Sequence, residues 1–358
     1  MVAGVLSYPI RVEAGALAQL GEFAREVAPA HRYAIITDTN VAPLYGSAAA
    51  DALGVDQADV LVIPSGESSK TRGTWGWITD ELVGRGFGRD SALVSLGGGV
   101  VGDLAGFVAA TYMRGLPIVH FPTTLLAMID ASIGGKTGVD TQFGKNLVGA
   151  FHQPSGVLVD PQILDTLPLN ELRTGFAEAL KHGVIADRRY FGSVVSAIPS
   201  ALYAGAAAGD SLAAIIVGSI EIKSGIVSRD EREGGLRKIL NFGHTVGHAV
   251  EMLSGYTLAH GEAVAIGMAV ESSIAERAGI AEGGMASEIG AAIAKAGLPG
   301  TVPEGIDRSR ILEVMLADKK VRAGSVRYAL PHAIGRMAGA DSGWTVEVDE
   351  SIVREVLS

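Results

Sequence analysis

The first half of the chain alternates short apolar runs with amphipathic segments, and this pattern restricts the fold more than any other feature. Buried strands are predicted at residues 33–38, 59–64, 92–96, 117–121 and 156–160, most of them rich in Val and Ile. Helical spacing between several of these runs, as at 74–85 and 100–112, predicts intervening helices. Strands that alternate with helices indicate a parallel sheet covered by helices.

The pattern changes after about Thr166, where strand signals become rare. Helical spacing follows at 169–185, 210–227, 240–254, 261–278, 285–296 and 309–316, with a short β element expected near 326–330. Pro168, within the segment 164–170, marks the boundary. We therefore predict a Rossmann-like α/β N-terminal domain with a parallel sheet at residues 1–166. An all-α C-terminal domain is predicted at 167–358.

Composition excludes several classes of function. The net charge of −10 argues against a nucleic-acid partner, although clusters of Lys and Arg still allow a small anionic substrate. The chain has no cysteine, which excludes disulfides, thiol catalysis and Cys-ligated metal. The N-terminal residues lack the pattern of a signal peptide, and Gly, Ser and charges interrupt every apolar run before it reaches membrane-spanning length. We expect a cytoplasmic protein without a membrane partner.

Three of the 8 histidines of the chain fall within residues 236–262. His244 and His248 are four residues apart in a helical pattern and so share one face, and His260 follows a Gly-containing turn. Imidazoles brought together with a carboxylate are the usual ligands of a divalent ion such as zinc. One member of the helical pair could instead transfer protons, and a single core histidine usually has a plain hydrogen-bonding role.

Glu178 and Lys181 lie one helical turn apart in the segment 175–183. An isolated Glu–Lys pair of this kind is normally a surface salt bridge. The histidines predicted in the same helical domain favour a functional role for the carboxylate.

Gly97, Gly98 and Gly99 come directly after the strand predicted at 92–96 and before a helix. A strand, a glycine loop and a helix N-terminus together form an anion site. The GxGxxG fingerprint is absent, so the loop alone is equally compatible with a tight turn. Polar residues also end the other predicted strands, at Asp38, Asn40, Glu67, Lys70, Thr123 and Thr124. Because these ends meet at one edge of a parallel sheet, they favour a bound dinucleotide.

The segment 130–146 is rich in glycine and carries Asp130, Lys136, Lys145 and Asn146. Lysines bind phosphate, and Asp and Asn orient hydroxyls, so the segment could hold a phosphorylated polyol. The alternative is a solvated surface loop. Arg114 is either a further anion contact or a charge at the end of a helix.

Five motifs occur in the order typical of one enzyme family. They are GGGVVGDLAG at 97–106, FPTTLL at 121–126, DASIGGKTGVDTQFGKN at 130–146, GFAEALKHG at 175–183 and LNFGHTVGH at 240–248. Over nearly the whole chain the sequence resembles 3-dehydroquinate synthase. The resemblance implies an NAD-binding α/β domain followed by a helical domain that binds metal and substrate.

The resemblance also implies a reaction, the conversion of 3-deoxy-D-arabino-heptulosonate 7-phosphate to 3-dehydroquinate and phosphate in the shikimate pathway. Members of the family carry it out by transient oxidation by NAD, phosphate elimination, re-reduction and an intramolecular aldol closure. A divalent metal, zinc or cobalt, is the second cofactor, and members are commonly homodimers.

Site residues follow by motif from the same resemblance. The implied metal ligands are Glu178, His244 and His260. The implied catalytic residues are His248, Glu233, Lys181 and Asn241. The implied substrate contacts are Arg114, Asp130, Lys136, Asn146, Lys181, Lys223, Arg237, Asn241, His248 and Lys319, with Lys320 as the alternative to Lys319. The implied NAD contacts are Asp38, Asn40, Glu67, Lys70, Gly98, Gly99, Asp103, Thr123, Thr124, Lys145 and Thr166.

Three other functions stay open from the sequence. One is another sugar-phosphate cyclase, which would differ in the substrate pocket. Another is a metal-dependent polyol dehydrogenase, which would accumulate NADH and would not need so many phosphate-binding cations. The last is a non-catalytic module that binds NAD or a sugar phosphate, which would have no reason to keep Glu178, His244 and His260 together.

Overall fold

The apolar runs of the first half form a six-stranded sheet. In the computed structural model, which describes residues 8–203, 209–317 and 326–358, the chain divides into two compact units, Met1–Leu167 and Pro168–Ser358. The sheet of the first unit consists of β1 (Ile10–Val12), β2 (Arg32–Asp38), β3 (Val60–Ile63), β4 (Ser91–Gly97), β5 (Ile118–Pro122) and β8 (Gly156–Val159). The five strands predicted from sequence are confirmed, and β1 is an addition.

The strands are all parallel and lie in the order β1-β8-β5-β4-β2-β3. From β2 the chain crosses to β3 on one side, and β4 then pairs with β2 on the other. The strand order therefore reverses between β2 and β4. Thr37 is in register with Leu96, so Asp38 and Gly97 end neighbouring strands at this reversal. Open α/β sheets bind ligands in the crevice at such a point.

Four helices accompany the sheet: α1 (Leu20–Val27), α2 (Ser47–Leu53), α3 (Arg72–Gly84) and α4 (Gly99–Thr111). A buried cluster that includes Ile36, Leu93 and Val108 joins α3 and α4 to the strands. Most of the glycine-rich segment 130–146 belongs to an antiparallel hairpin of β6 (Lys136–Thr141) and β7 (Gly144–Phe151) rather than to a surface loop. No strand was predicted there because glycines weaken the strand signal.

The second unit is mostly helical. Its helices are α5 (Leu169–Ala186), α6 (Arg188–Tyr203), α7 (Gly209–Arg229), α8 (His244–Leu253), α9 (His260–Arg277), α10 (Met285–Lys295), α11 (Arg308–Ala317) and α12 (Glu350–Leu357). Two short strand pairs accompany them, β9 (Arg327–Tyr328) with β12 (Val346–Glu347), and β10 (Pro331–Ala333) with β11 (Arg336–Met337). The predicted fold class is confirmed. β9 corresponds to the short β element expected near 326–330, and the other three small strands are additions.

One stretch of the described chain, Asp210–Arg229, is long and apolar enough to cross a membrane by length and composition, with a mean hydropathy of 1.5. The expectation that no run reaches this length was therefore wrong. Half of the stretch is buried inside the protein, and core helices of soluble proteins pass the same test.

Candidate active site

A fully buried carboxylate lies within the helical unit. Glu178, on α5, has no exposed side-chain surface, and its Oε1 lies 3.6 Å from His244 Nε2 and 3.8 Å from His260 Nε2. Its other oxygen forms an ion pair with the ammonium group of Lys181, one turn along the same helix. Among the described residues neither oxygen has a hydrogen-bond partner. The carboxylate thus retains acceptor capacity that the fold does not use.

The surroundings of Glu178 fit a divalent cation. Each of Glu178, His244 and His260 offers one ligand atom, and these atoms all lie within 4.8 Å of one another. One carboxylate and two imidazoles form a donor set typical of zinc sites that keep a position open for substrate. A second triplet, His248, Glu251 and His260, meets the same distance limit. It shares His260, but its His248 is exposed.

The two histidines that face Glu178 differ in proton affinity. Burial, together with the nearby Lys181 and the neighbouring imidazoles, holds the pKa of His244 well below its usual range. Burial also lowers the pKa of His260, but a hydrogen bond to Glu251 and the charge of Glu178 raise it above its ordinary value overall. Because a metal ligand must be a neutral imidazole, His244 is available to a cation at neutral pH.

The histidines converge because of where their helices begin. His244 is the first residue of α8 and His260 is the first residue of α9. Their ring centroids are 5.4 Å apart, and that of His248 is 5.2 Å from His244 and 6.0 Å from His260. The two helices can approach this closely because a Cβ atom added to Gly267 would lie 1.8 Å from the carbonyl oxygen of Gly243. A larger residue at this crossing would force the histidines apart.

The remaining predicted residues of this unit lie on neighbouring elements. Asn241 donates a hydrogen bond to Glu233, which occupies the left-handed backbone region at φ 60°. Arg237 is buried and donates to the carbonyl of Glu231. Lys223, on α7, is also buried. Lys319 and its alternative Lys320 lie outside the described residues.

The glycine loop of the first unit stands at the reversal of the strand order. Gly98 is the N-cap of α4 and Gly99 is its first residue. A Cβ atom on Gly98 would lie 3.1 Å from the Thr124 methyl group, so the loop has little room for a side chain. The hydroxyl of Thr123 is buried and has no hydrogen-bond partner among the described residues. Unused polar groups beside a helix N-terminus fit the phosphates or riboses of a dinucleotide.

A charge network lies next to this loop. The ammonium of Lys70 is buried and lies 2.8 Å from Asp103 Oδ2 and 3.5 Å from Glu67 Oε1. Lys145 Nζ lies 3.6 Å from the same oxygen of Glu67. Burial lowers the pKa of Lys70, but the two carboxylates outweigh it and raise that pKa above its ordinary value. The structure thus brings together four of the predicted NAD contacts.

Other predicted residues of this unit are engaged locally. Asp38 accepts backbone hydrogen bonds from Asn40 and Val41, which shape the turn after β2. The hydroxyls of Thr166 and Tyr45 are 2.6 Å apart. Four predicted substrate contacts lie after α4 or on the hairpin segment: Arg114, with φ 68°, Asp130, Lys136 and Asn146, with φ 54°.

Sequence reasoning did not single out two buried acids of the helical unit, Glu251 and Glu271. Glu251 Oε2 lies 3.5 Å from His260 Nδ1, and Glu271 accepts hydrogen bonds from the backbone at the start of α8. The only sequence feature that could have indicated them is an acidic residue within an apolar helical stretch. That signal is weak, because the sequence does not say which face of the helix the residue occupies.

Two family models match consecutive parts of the chain. The model for the 3-dehydroquinate synthase N-terminal region matches residues 60–174, and the model for the C-terminal region matches residues 175–321. The 3-dehydroquinate synthase of Symbiobacterium thermophilum is 48% identical over 338 residues, which cover 92% of this chain and 93% of that protein. The chain belongs to the 3-dehydroquinate synthase family.

Two solved structures extend the comparison to other cyclases. A 2-deoxy-scyllo-inosose synthase complexed with carbaglucose-6-phosphate, NAD+ and Co2+ has a TM-score of 0.88 and 27% identity, covering 99% of this chain and 97% of that chain. A 2-epi-5-epi-valiolone synthase from Streptomyces hygroscopicus subsp. jinggangensis, with NAD+ and Zn2+ bound, has a TM-score of 0.85 and 28% identity. It covers 98% of this chain and 96% of that chain. The predicted family is confirmed.

Proposed function

We propose that this chain is a 3-dehydroquinate synthase that converts 3-deoxy-D-arabino-heptulosonate 7-phosphate to 3-dehydroquinate and phosphate. Its membership of the family and its 48% identity to a synthase over 92% of its length support this reaction over that of another cyclase. NAD and a divalent ion, zinc or cobalt, are its cofactors. They accompany the two similar cyclase structures, which are 27% and 28% identical to this chain.

The observation that carries the proposal is the convergence of Glu178, His244 and His260. A fully buried carboxylate whose oxygens have no hydrogen-bond partner among the described residues is costly unless a cation compensates it. Lys181 compensates one oxygen, and two imidazole nitrogens lie within 4 Å of the other. These three side chains would hold the divalent ion.

NAD would bind at the strand-order reversal of the first unit. The residues assigned to it are Asp38, Asn40, Glu67, Lys70, Gly98, Gly99, Asp103, Thr123, Thr124, Lys145 and Thr166. The free amides at the start of α4 would hold the pyrophosphate, and the Lys70–Asp103 pair would fix the position of α4 relative to the end of β3. Residues 1–166 thus form the NAD-binding domain, and residues 167–358 bind metal and substrate.

When bound, NAD supplies a hydride acceptor and the divalent ion lowers the pKa of the substrate hydroxyl to be oxidised. His248 is exposed beside His244 and His260, so its imidazole can move a proton without being a ligand. Glu233 is assigned as a second proton acceptor, held by Asn241. Lys181 lies at Glu178 and would hold a substrate oxygen next to the ion.

The other substrate contacts are assigned to Arg114, Asp130, Lys136, Asn146, Lys223, Arg237, Asn241 and Lys319. Most of these side chains are cationic, which suits a substrate that carries both a carboxylate and a phosphate. We place the enzyme in the cytoplasm as a homodimer that acts on a small phosphorylated sugar acid, without a nucleic-acid or membrane partner.

The test is a reaction with purified protein, NAD+, Zn2+ or Co2+ and the heptulosonate phosphate. We expect one phosphate released for each 3-dehydroquinate formed, with no net change in the NADH absorbance at the end of the reaction. Steady accumulation of NADH would contradict the proposal and favour a polyol dehydrogenase. Phosphate release from glucose 6-phosphate but not from the heptulosonate phosphate would favour another cyclase.

A further inference from the structure

A second buried acid contacts the helix that carries His244. Glu271, on α9, has no exposed surface. Its Oε2 accepts a hydrogen bond of 2.7 Å from the backbone N–H of Gly243, and its Oε1 accepts one of 2.9 Å from that of Val246. Burial raises the pKa of Glu271 to about 8, although backbone N–H groups of Val246, Gly243 and Thr245 oppose the rise. Glu271 thus binds the first turn of α8, where N–H groups have no partner within the helix.

Each of the helices α8 and α9 carries a buried acid that contacts the start of the other helix. His260 and Glu271 are eleven residues apart on α9, about three turns, and so lie on one face. His244 and Glu251 are seven residues apart on α8, about two turns. Glu271 reaches the start of α8 while Glu251 reaches the imidazole at the start of α9. The helices are therefore antiparallel, and each supplies a buried carboxyl group to the start of the other.

We propose that Glu271 is a positioning residue for the metal site, whose carboxyl group fixes the start of α8 so that His244 stays directed at Glu178 and His260. The inference rests on the proposed metal ligands. His244 lies between Gly243 and Val246, the residues whose N–H groups Glu271 binds, so movement of that turn moves the imidazole. Glu271 lies outside the predicted ligand, substrate and NAD sets.

A purely structural role would have a different outcome, and α9 supplies the comparison. Glu276, on the same helix, accepts a hydrogen bond of 2.8 Å from the backbone N–H of Ala286 at the start of α10. It also stabilises the start of a helix, but α10 carries none of the predicted ligands. Glu276→Gln is therefore the matched control for Glu271→Gln.

The experiment measures the affinity of the two variants for Zn2+ by competition with a chromogenic chelator, and records the absorption spectrum of the Co2+-loaded proteins. In Glu271→Gln one acceptor oxygen becomes an amide donor that faces a backbone N–H. We expect a loss of Zn2+ affinity of roughly tenfold to a hundredfold, as for other residues that orient metal ligands, and a changed Co2+ spectrum. Glu276→Gln should keep the affinity and spectrum of the unsubstituted protein.

Equal Zn2+ affinity in Glu271→Gln and Glu276→Gln, with similar losses of thermal stability, would overturn the inference. Failure of the unsubstituted protein to bind Zn2+ would instead overturn the proposed function. If Glu271→Gln does not fold, the same measurements are made on Glu271→Asp, in which the carboxyl group is shorter by one methylene. Unchanged affinity in that variant would also overturn the inference.

Discussion

Glu178 illustrates how one residue can be unfavourable for folding and useful for binding. Its carboxylate is fully buried, and removal of a charge from water costs several kcal/mol unless partners compensate it. The fold places the ammonium of Lys181 and two imidazoles near it, but neither oxygen has a hydrogen-bond partner among the described residues. A site arranged in this way gains stability when a cation binds.

Substitution of His260 should remove the ion without unfolding the protein. His260 is about one-third exposed, so His260→Ala creates no large cavity, while it removes one of three predicted ligands. We expect metal content, measured by elemental analysis after dialysis, to fall from one ion per chain to near zero, with activity lost. His332→Ala is the control, because His332 bonds the carbonyl of Ile280 away from the predicted ligands. Full metal content in His260→Ala would exclude it from the ligand set.

His120 should make the folded state sensitive to acid. It is buried against Ser95, 2.6 Å from its hydroxyl, and burial and His152 lower its pKa to about 4 from an ordinary 6.5. The unfolded chain therefore binds this proton first as the pH falls. The contribution of His120 to the free energy of unfolding is fully present above pH 6.5 and should be lost progressively as the pH falls to about 4. For this one group the loss amounts to about 3 kcal/mol.

The measurement for His120 is the free energy of unfolding by urea between pH 7 and pH 4. His120→Gln keeps a polar group beside Ser95, but that group does not titrate. Between pH 7 and pH 4 the free energy of unfolding of this variant should therefore fall by about 3 kcal/mol less than that of the unsubstituted protein. A parallel pH dependence in the two proteins would show that His120 is not the responsible group.

At the scale of elements, the helix pair α8 and α9 carries two of the three proposed metal ligands, His244 and His260. Their backbones meet at Gly243 and Gly267, with no side chain between them. Helices that approach so closely have their separation fixed by backbone atoms, which cannot change rotamer. The distance between His244 and His260 therefore depends on glycine as much as on histidine.

Gly267→Ala should destabilise the protein and weaken metal binding. The added methyl group would lie 1.8 Å from the Gly243 carbonyl oxygen, so the helices must separate, at a cost of about 3 kcal/mol. Gly290→Ala is the control on α10, where an added Cβ meets no described atom within 4 Å apart from its neighbours along the helix. It should instead stabilise the helix by about 1 kcal/mol. Urea unfolding of both variants checks this, and a stable, metal-loaded Gly267→Ala would contradict it.

The elements that the sequence predicted correctly are those with long periodic patterns. Five strands and the helices α3, α4, α5 and α7–α11 follow from apolar spacing alone. Strand β1 has only three residues, and α6 contains Pro199, which weakens its helical pattern. The β6–β7 hairpin is rich in glycine, so its strands form through pairing with each other, which spacing does not reveal.

The candidate site was less accessible to sequence reasoning. Family motifs nominated Glu178, His244 and His260, and the structure brings their ligand atoms within 4.8 Å of one another. Glu251 and Glu271 could not be nominated, because an acid on a helix is normally solvated, and only packing shows that it is buried. The sequence shows which residues have side chains that can bind a metal. Which other side chains contact those residues depends on the tertiary structure.

At the scale of the whole molecule, the chain divides into two compact units, Met1–Leu167 and Pro168–Ser358. The proposed NAD site lies in the first unit and the proposed metal site in the second. Ligands that bind the folded state raise its stability, by about 2.7 kcal/mol at a hundred times the dissociation constant. NAD+ and Zn2+ should therefore each raise the melting temperature. Substitutions in the first unit should remove only the effect of NAD+, and substitutions in the second unit only that of Zn2+.

Gly98→Ala and His260→Ala should separate these effects in thermal unfolding. Gly98→Ala crowds Thr124 and should weaken NAD+ binding about tenfold, which reduces the NAD+-dependent stabilisation by about half and leaves that of Zn2+. His260→Ala should lose the stabilisation by Zn2+ and keep that by NAD+. Gly102→Ala, within the helix that Gly98 caps, is the control, because the added Cβ meets no described atom within 4 Å apart from its neighbours along α4. Loss of both effects in either variant would contradict the assignment of one cofactor to each unit.

The bare crossing of α8 and α9 also bears on how this family can diversify. A lineage that replaced Gly267 would have to move the starts of both helices, and with them the proposed ligands His244 and His260, so few mutational paths lead away from it. Positions on the outer faces of the two helices carry no such condition. Substitutions on those faces can therefore accumulate without separating His244 from His260.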